Sequence, residues 1–525
     1  MRLITILSLV LLQTAAYAAE PTAQEASGIL SDDPDIQALT NVLKDSYWLA
    51  GSPAASFPGD SIPRDTLLMD SILYADSVER HFYYAVPESY DPEVLTPLFV
   101  WLHGGVSTAE LSTMEPGDID DWVLIPRLLE EGYLIAFPCG QMGATWWDPV
   151  GEEGILNIVK WMKFNFTVDD SRVFVGGFSD GASGCFSLMM LHPSPFAGYL
   201  AFSGHPGVAA LDGDRATYLP SLSNRPGMVT HSDEDGLYPA RQMAHSIALA
   251  ESAGARIEYH TFEGYEHDPS YLPLLEDRIV EWLDETRRVR FPVSIVWEAG
   301  EPSGCDWLMV DSIVPWPVLT EDKDFNTLMV SERLQFGFYP DWDFQGDGIL
   351  VSGVAEGDLP ASRLGFQEGD VITGFQGVEV KDLDELWEVQ SGMAPGDSFS
   401  ITVQRGTETL ELRDRFNPPE HYWLLPRQGP SVRVEASCTD NHFEISVNRL
   451  CRLVLLLHPE MIDLGEDVTV TCNGYRVFCG RVEPDDRFLL ENFISEGDPE
   501  RMYRARLELD LEKLLLPLMY TDLSD

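Results

Sequence analysis

The sequence predicts an α/β chain: a mostly parallel sheet with helices on both faces, followed by a β-sandwich-like domain that a separate module interrupts. Three observations predict it. Across residues 66–289, short runs rich in Val, Phe, Leu and Ile, each ended by Gly or Pro, alternate with helix-patterned stretches, the signature of strands covered by helices. From Phe291 the pattern becomes β. Within that β part, residues 323–416 carry turn and strand signals of their own.

In the first domain the strands are "ERHFYYAVP", "PLFVWLHGG", "LIAFP" and "RVFVGGFS". Between the last two, "GILNIVKWMKFNF" places Ile155, Ile158, Val159 and Met162 at helical spacing. Then follow "YLAFSG", "GMVTHSDED", the helical "ARQMAHSIALAESAG", "RIEYHTFEG" and "LEDRIVEWLDETRR". Beyond it, "FPVSIVWEAG" and "DWLMVDSIVPW" are two strands, too few to bury a core alone. After residue 430 come "SVRVEASC", "HFEISVN", "RLVLLLH", "DVTVTC", "YRVFCGRV" and "RARLELDL". One sandwich built from 290–322 and 417–525, with 323–416 inserted, is the economical reading.

The 525-residue chain opens "MRLITILSLVLLQTAAYA". One Arg, a short apolar run and small residues at Ala16 and Ala18 read as a signal peptide over 1–18 and not a membrane span. Residues 19–65, rich in Ala, Ser, Pro and Asp, are a lead-in with one helix around Ile36–Tyr47. A secreted or periplasmic protein is expected. The balance of 34 basic and 86 acidic residues gives a net charge of −52 with only six Lys, which repels nucleic acid and anionic membrane surfaces and reads either as salt adaptation or as acidic residues that only keep the protein soluble.

Seven cysteines leave at least one thiol unpaired. Cys472 and Cys479 flank Asn473-Gly474, which suits a two-residue hairpin. In that register Cys479 faces Val468, so the two sulfurs cannot meet. The pairing of the seven cysteines stays open, and no Cys/His spacing reads as a metal site.

In the insert, "LGFQEGDVITGFQGVEV" turns at Gly369-Asp370 into a strand at Val371-Ile372 and turns again at Gly377. The segment resembles a PDZ domain, close to the type found in bacterial trypsin-like proteases. The resemblance implies a peptide carboxylate bound at Phe336-Gly337-Phe338, in "RLQFGFYP", with the peptide added as a strand beside a helix at 383–390. Pro340 lacks an N–H and would shorten that ladder. A PDZ domain that packs within the protein and binds nothing is the alternative.

In the α/β domain, "GFSDG" matches G-x-S-x-G after a strand ("RVFVG") and before a helix ("ASGCFSLMML"), the context that makes Ser179 a nucleophile. The Asp180 N–H is one oxyanion donor, and Gly105 in "WLHGG", beside Gly104, is the other. His103 holds that loop through hydrogen bonds. Of eleven His, His267 in "FEGYEHDPSY" lies on a loop between the last strand and last helix and is the base. His205 in "FSGHPG" is second choice and a pocket residue. Asp235 in "HSDEDGLYPA" is the acid, with Asp233 next. The order Ser179, Asp235, His267, with gaps of 56 and 32 residues, is that of the α/β-hydrolase fold.

"WLHGG", "VDDSRVFVGGFSDGA", "DGLYPA" and "GYEHD" resemble the α/β-hydrolase family over about 220 residues. Within it they are similar to secreted esterases of the feruloyl-esterase and polyhydroxybutyrate-depolymerase kind, with prolyl-oligopeptidase-like peptidases as relatives. The resemblance implies hydrolysis of carboxylic esters, carbohydrate-linked or polymeric, without metal or organic cofactor. Asp180 stands where many relatives carry a neutral residue. Trp146 and Trp147, in "GATWWDPVG", either stack on a substrate ring or form the wall of a core, and His103, Tyr238 and Tyr265 add to the pocket. Glu152 and Glu153 begin the next helix, where carboxylates are favoured. Three functions stand: a serine esterase, a serine peptidase that captures protein C-termini with its PDZ domain, and a catalytically inactive binding scaffold.

Overall fold

A computed structural model describes residues 62–114, 124–320, 323–331, 333–341 and 344–522. The signal peptide and the helix expected at Ile36–Tyr47 lie outside the described residues. The α/β part is built on eight strands: β1 (Leu67–Leu73), β2 (Glu79–Ala85), β3 (Thr96–Leu102), β4 (Leu134–Pro138), β5 (Val168–Phe178), β6 (Gly198–Phe202), β7 (Gly227–Ser232) and β8 (Ile257–Phe262). They run in the order β1-β2-β4-β3-β5-β6-β7-β8. β2 is antiparallel to both its neighbours, and every other pairing is parallel. β1 was not anticipated. "LLMDSIL" buries only Ile72, so an edge strand of this kind carries almost no hydrophobic signal.

The strands β3, β4, β6 and β7 are buried throughout, because helices cover both faces. The helices are α1 (Leu124–Glu130), α2 (Pro149–Asn165), α3 (Asp180–Leu191), α4 (Val208–Leu211), α5 (Ala240–Ser252) and α6 (Glu276–Glu285). α1 and α6 share a core with Phe99, Trp101, Phe174, Leu200 and Met228. On the other face Trp161 of α2 meets Phe82 and Tyr84, each ring centre 5.1 Å away, and Phe186 of α3 meets Tyr199. Each such side chain withdrawn from water contributes about 1.5–3 kcal/mol. The α/β-hydrolase fold expected from the sequence is the fold observed.

After this part come β9 (Ser294–Ala299), β10 (Ser303–Cys305) and β11 (Leu308–Val318). Residues 327–424 then form a separate compact unit. Its elements are β12 (Leu328–Ser331), β13 (Phe338–Pro340), β14 (Ile349–Val354), α7 (Pro360–Leu364), β15 (Val371–Phe375), β16 (Val378–Glu379), α8 (Leu383–Gln390), β17 (Ser398–Arg405), β18 (Glu408–Arg415) and β19 (Glu420–Trp423). Its main sheet is ordered β13-β14-β15-β17-β18, which leaves β13 at an edge. Gly369 (φ +90°) and Gly377 (φ +77°) take the left-handed turns that flank β15. Phe336 is buried against Phe375, Phe399 and Phe416, and Gly337 has φ +84°. β12 pairs with β19, so the unit closes at Leu424, some residues past the boundary expected at 416.

The chain returns through β20 (Val432–Thr439), β21 (His442–Val447), β22 (Arg449–Leu457), β23 (Val468–Cys472), β24 (Tyr475–Gly480), α9 (Asp486–Glu496), β25 (Ala505–Asp510) and α10 (Leu511–Asp522). Two sheets result, β24-β23-β21-β20-β9 and β10-β11-β22-β25. Trp297, Trp307, Phe443 and Leu453 belong to the one core they enclose. The strands on either side of the insert therefore complete each other. α9 was missed at the sequence level although Asp485 caps it, accepting hydrogen bonds from the Arg487 and Phe488 N–H groups.

All seven cysteines are free. Cys472 faces Tyr475 across the turn, but Cys479 faces Thr469 and not the expected Val468. A register shift between Val470 and Thr471 slides the strand by one residue, which periodicity alone does not reveal. Among the described residues no helix is long and apolar enough to cross a membrane, and no His/Cys/Asp/Glu group could hold a metal ion.

Candidate active site

The loops that leave the carboxyl ends of β3 to β8 meet at one rim of the sheet, where open α/β sheets bind ligands. β5 ends at Phe178 and α3 starts at Asp180, which leaves Ser179 alone to turn the chain. It does so with φ +58° and ψ −119°, a strained conformation for a residue with a side chain. The turn needs its glycines. A Cβ at Gly177 would lie 2.5 Å from the Leu102 carbonyl oxygen, and one at Gly181 only 1.9 Å from the same atom. The Ser179 N–H donates to Phe202 O at 3.0 Å, which ties the turn to β6.

His267 Nε2 lies 2.8 Å from Ser179 Oγ, and its Nδ1 lies 2.8 Å from Asp235 Oδ2. Asp235 Oδ1 accepts from the N–H groups of Leu237 and Tyr238 at 2.8 and 2.7 Å. Burial alone would raise the Asp235 carboxyl. The hydrogen bond and charge of His267, with those two N–H groups, outweigh burial and hold its pKa below the ordinary value. An ionised Asp235 can only accept, so Nδ1 carries the proton and Nε2 is left to accept from the Ser179 hydroxyl. Around this line, Phe178 packs on the His267 ring at 4.9 Å and Tyr238 meets it edge-on at 5.8 Å. The His267 loop is fixed by Ser232 Oγ donating to Glu266 O, and by buried Tyr271, whose hydroxyl bonds with Thr230 and Ser203.

Asp233 lies elsewhere, accepting from the Gly264 N–H at 2.8 Å. His205 is buried under the same rim, with Nδ1 accepting from the Gly207 N–H, and burial together with neighbouring His231 pushes its pKa down to about 4. His205 and Tyr238 are ring neighbours at 6.0 Å. Tyr265 packs on Phe262 and Tyr271 and belongs to the rim's support.

The loop after β3 comes against the turn. A Cβ on Gly104 would sit 3.1 Å from Ser179 Cβ and 3.6 Å from its Oγ. Gly105 has φ +68° and nothing within 4 Å of the place its side chain would take. Asp180 Oδ2 accepts from the Val106 N–H at 3.0 Å. His103 donates from Nδ1 to Gly104 O at 2.7 Å and accepts at Nε2 from the Gly140 N–H at 2.9 Å. Both ring nitrogens are thus engaged by backbone, as a loop holder's would be, while the ring also lines the cavity beside Gly104. Burial lowers its pKa.

Trp146 and Trp147 are 1% and 4% exposed, so neither offers a face for a substrate to stack on. The Trp146 Nε1–H donates to His103 O at 2.8 Å, and a Cβ at Gly184 of α3 would meet Trp146 at 2.4 Å. Of the two roles the sequence allows, substrate contact is therefore set aside, and both tryptophans are wall. Paired aromatics on a loop give the same sequence signal in either role, and only the packing of α3 separates them. Glu152 is buried against His192 and Arg215.

Beside Gly104 opens a mostly apolar cavity of about 270 Å³ lined by Trp101, His103, Met114, Phe137 and Cys139 among others. A larger one, about 860 Å³, lies between α2 and the C-terminal β part. It is lined by none of Ser179, Asp235 and His267, and two pairs of its lining charges meet there, Arg501 with Glu496 and Lys513 with Asp510. The smaller cavity is lined by none of the three either, and reaches Ser179 through Gly104, whose Cβ would sit 3.1 Å from Ser179 Cβ.

Residues 155–274 match the family model described as Phospholipase/Carboxylesterase, and residues 328–413 match the PDZ domain model. No curated protein matches the chain. Among solved structures, a thermostable esterase is similar at 20% identity, over 43% of this chain and 64% of its own, with a TM-score of 0.35. A ferulic acid esterase is similar at 17% identity, over 42% and 98%, with a TM-score of 0.34. An acetyl xylan esterase from Aspergillus awamori is similar at 16% identity, over 41% and 99%, with a TM-score of 0.32.

Proposed function

We propose that this chain, which carries a carboxylesterase-type α/β-hydrolase domain and a PDZ domain, is a secreted serine hydrolase that cleaves carboxylic esters. The observation that carries the reading is the unbroken line Ser179 Oγ, His267 ring, Asp235 carboxylate, each step 2.8 Å. His267 takes the Ser179 proton as the oxygen attacks the ester carbonyl, and Asp235 stabilises the imidazolium that forms. The N–H groups of Asp180 and Gly105 receive the oxyanion, each worth about 2.7–4 kcal/mol to the transition state. His267 then protonates the departing alcohol, and water, deprotonated by the same ring, releases the acid.

In this reading residues 1–18 are removed on export, 66–289 perform the chemistry, 290–322 with 417–525 form the sandwich, and 323–416 is the PDZ module. The apolar cavity beside Gly104 suits an uncharged acyl or alcohol group. Carbohydrate-linked and polymeric esters are the substrates proposed. The test is a fluorophosphonate probe followed by a panel of aryl and acetyl esters against peptide anilides. Labelling at Ser179 with ester turnover is expected, and a wild-type protein that takes no label overturns the reading.

The PDZ domain favours a second reading, a serine peptidase that gathers protein C-termini at Phe336-Gly337-Phe338. Anilide cleavage without ester cleavage would select it.

A further inference from the structure

We infer that the Asp180 side chain is a positioning residue: a strap that holds the loop after β3 against Ser179, so that one residue sets both oxyanion donors. The inference rests on the hydrolase reading for its catalytic consequence, and on geometry alone for the strap itself.

Asp180 is the residue by which this G-x-S-x-G turn departs from the neutral type. A carboxylate beside a developing oxyanion repels it, so a cost to catalysis is built in unless the side chain returns something larger. Its Oδ2 accepts from the Val106 N–H at 3.0 Å, across 74 residues of chain. Between Val106 and the serine lie Gly104, close enough that a Cβ would nearly touch Ser179, and Gly105, whose would-be side-chain position meets nothing within 4 Å. Two glycines without side chains cannot hold themselves by packing. The loop is instead fixed at its two ends. His103 fastens the upstream end to Gly140, on the loop after β4. Asp180 fastens the downstream end to the first turn of α3, the helix that starts at the nucleophile. Val106 is fully buried, so the hydrogen bond closes over a fixed anchor. The N-terminus of α3 favours the carboxylate it carries.

The consequence is a linked hole. The Asp180 backbone N–H supplies one donor, and its side chain fixes the loop that supplies the other. A shift of about 1 Å in such a donor costs on the order of 10²-fold in rate.

Asp180→Ala and Asp180→Asn separate the strap from the charge, because Asn keeps an acceptor oxygen for the Val106 N–H. For Asp180→Ala, kcat on an aryl ester should fall about 10- to 100-fold, with KM little moved and the melting temperature near wild type. Asp180→Asn should recover most of that loss. A kcat for Asp180→Ala equal to wild type, or an equal loss in both variants, overturns the strap. Amide hydrogen exchange gives a reading independent of activity. The Val106 amide should exchange at least about tenfold faster in Asp180→Ala, as expected for a lost hydrogen bond to a charged group, while amides of β6 stay unchanged. Unchanged exchange at Val106 overturns the strap even if the protein hydrolyses nothing, and a wild-type protein without activity but with faster Val106 exchange in the variant overturns only the hydrolase reading.

Discussion

Arg288, which follows α6, and Asp498, which follows α9, meet in a buried two-bonded ion pair across 210 residues of chain. Lys163 of α2 reaches the same carboxylate at 2.9 Å and Asp170 at 2.7 Å. Burial would raise the Asp498 pKa, but the charges of Arg288 and Lys163 outweigh it and hold it far below the carboxylate range. Asp170, served by Lys163 with less help from Arg288, is left raised to about 6, with burial as the main cause. A second buried pair, Arg225 with Asp306, lies on the same seam. The α/β part and the sandwich belong to one compact unit, and these pairs lie where they join.

Asp498→Asn should therefore destabilise the protein by about 3–5 kcal/mol, since it removes the buried carboxylate that Arg288 and Lys163 share. Asp170→Asn should cost less, because it removes a carboxylate that burial already opposes. Urea unfolding at pH 7 ranks the two.

Asp235→Asn should leave the fold intact and lower kcat by about 10⁴-fold, because an amide permits the wrong His267 tautomer. Kinetics on an activated ester, with circular dichroism as the control, measure it.

Acid should weaken the protein well above the carboxylate range. His205, His231 and His458 are held neutral by burial, each with a pKa pushed down to about 4. The unfolded rings take up protons near pH 6.5, the folded ones only near 4, so the stability these rings contribute is complete above about 6.5. It declines as pH falls toward 4, by about 1.4 kcal/mol per pH unit for each ring that stays neutral. Urea midpoints at pH 7, 5.5 and 4.5 should fall in that order.

Trp146→Ala should behave as a core truncation and lower stability by about 3–5 kcal/mol. A variant with wild-type stability and only a raised KM would restore the substrate-stacking role that burial argues against.

With a net charge of −52, added salt should stabilise the fold by screening self-repulsion. A melting temperature that rises by about 2–4 °C or more between low and molar NaCl is expected. An indifferent one would leave the acidic composition to solubility alone.

The sequence by itself determined the periodic elements and their order. Alternation of apolar strand runs with helical spacing marks the parallel sheet, Gly-x-Ser-x-Gly marks the turn at Ser179, and the loops after later strand runs offer Asp235 or Asp233 and His267 or His205, because each signal sits within a few consecutive residues. What only the tertiary structure decided is everything that depends on a neighbour distant in the chain. Whether Trp146 faces solvent or α3, whether His103 has a free nitrogen, how far the register slips before Cys479, and what the Asp180 carboxylate holds are all settled by packing across more than 35 residues, or by a local shift with no periodic trace. β1 escaped notice because an edge strand buries too little to leave a pattern.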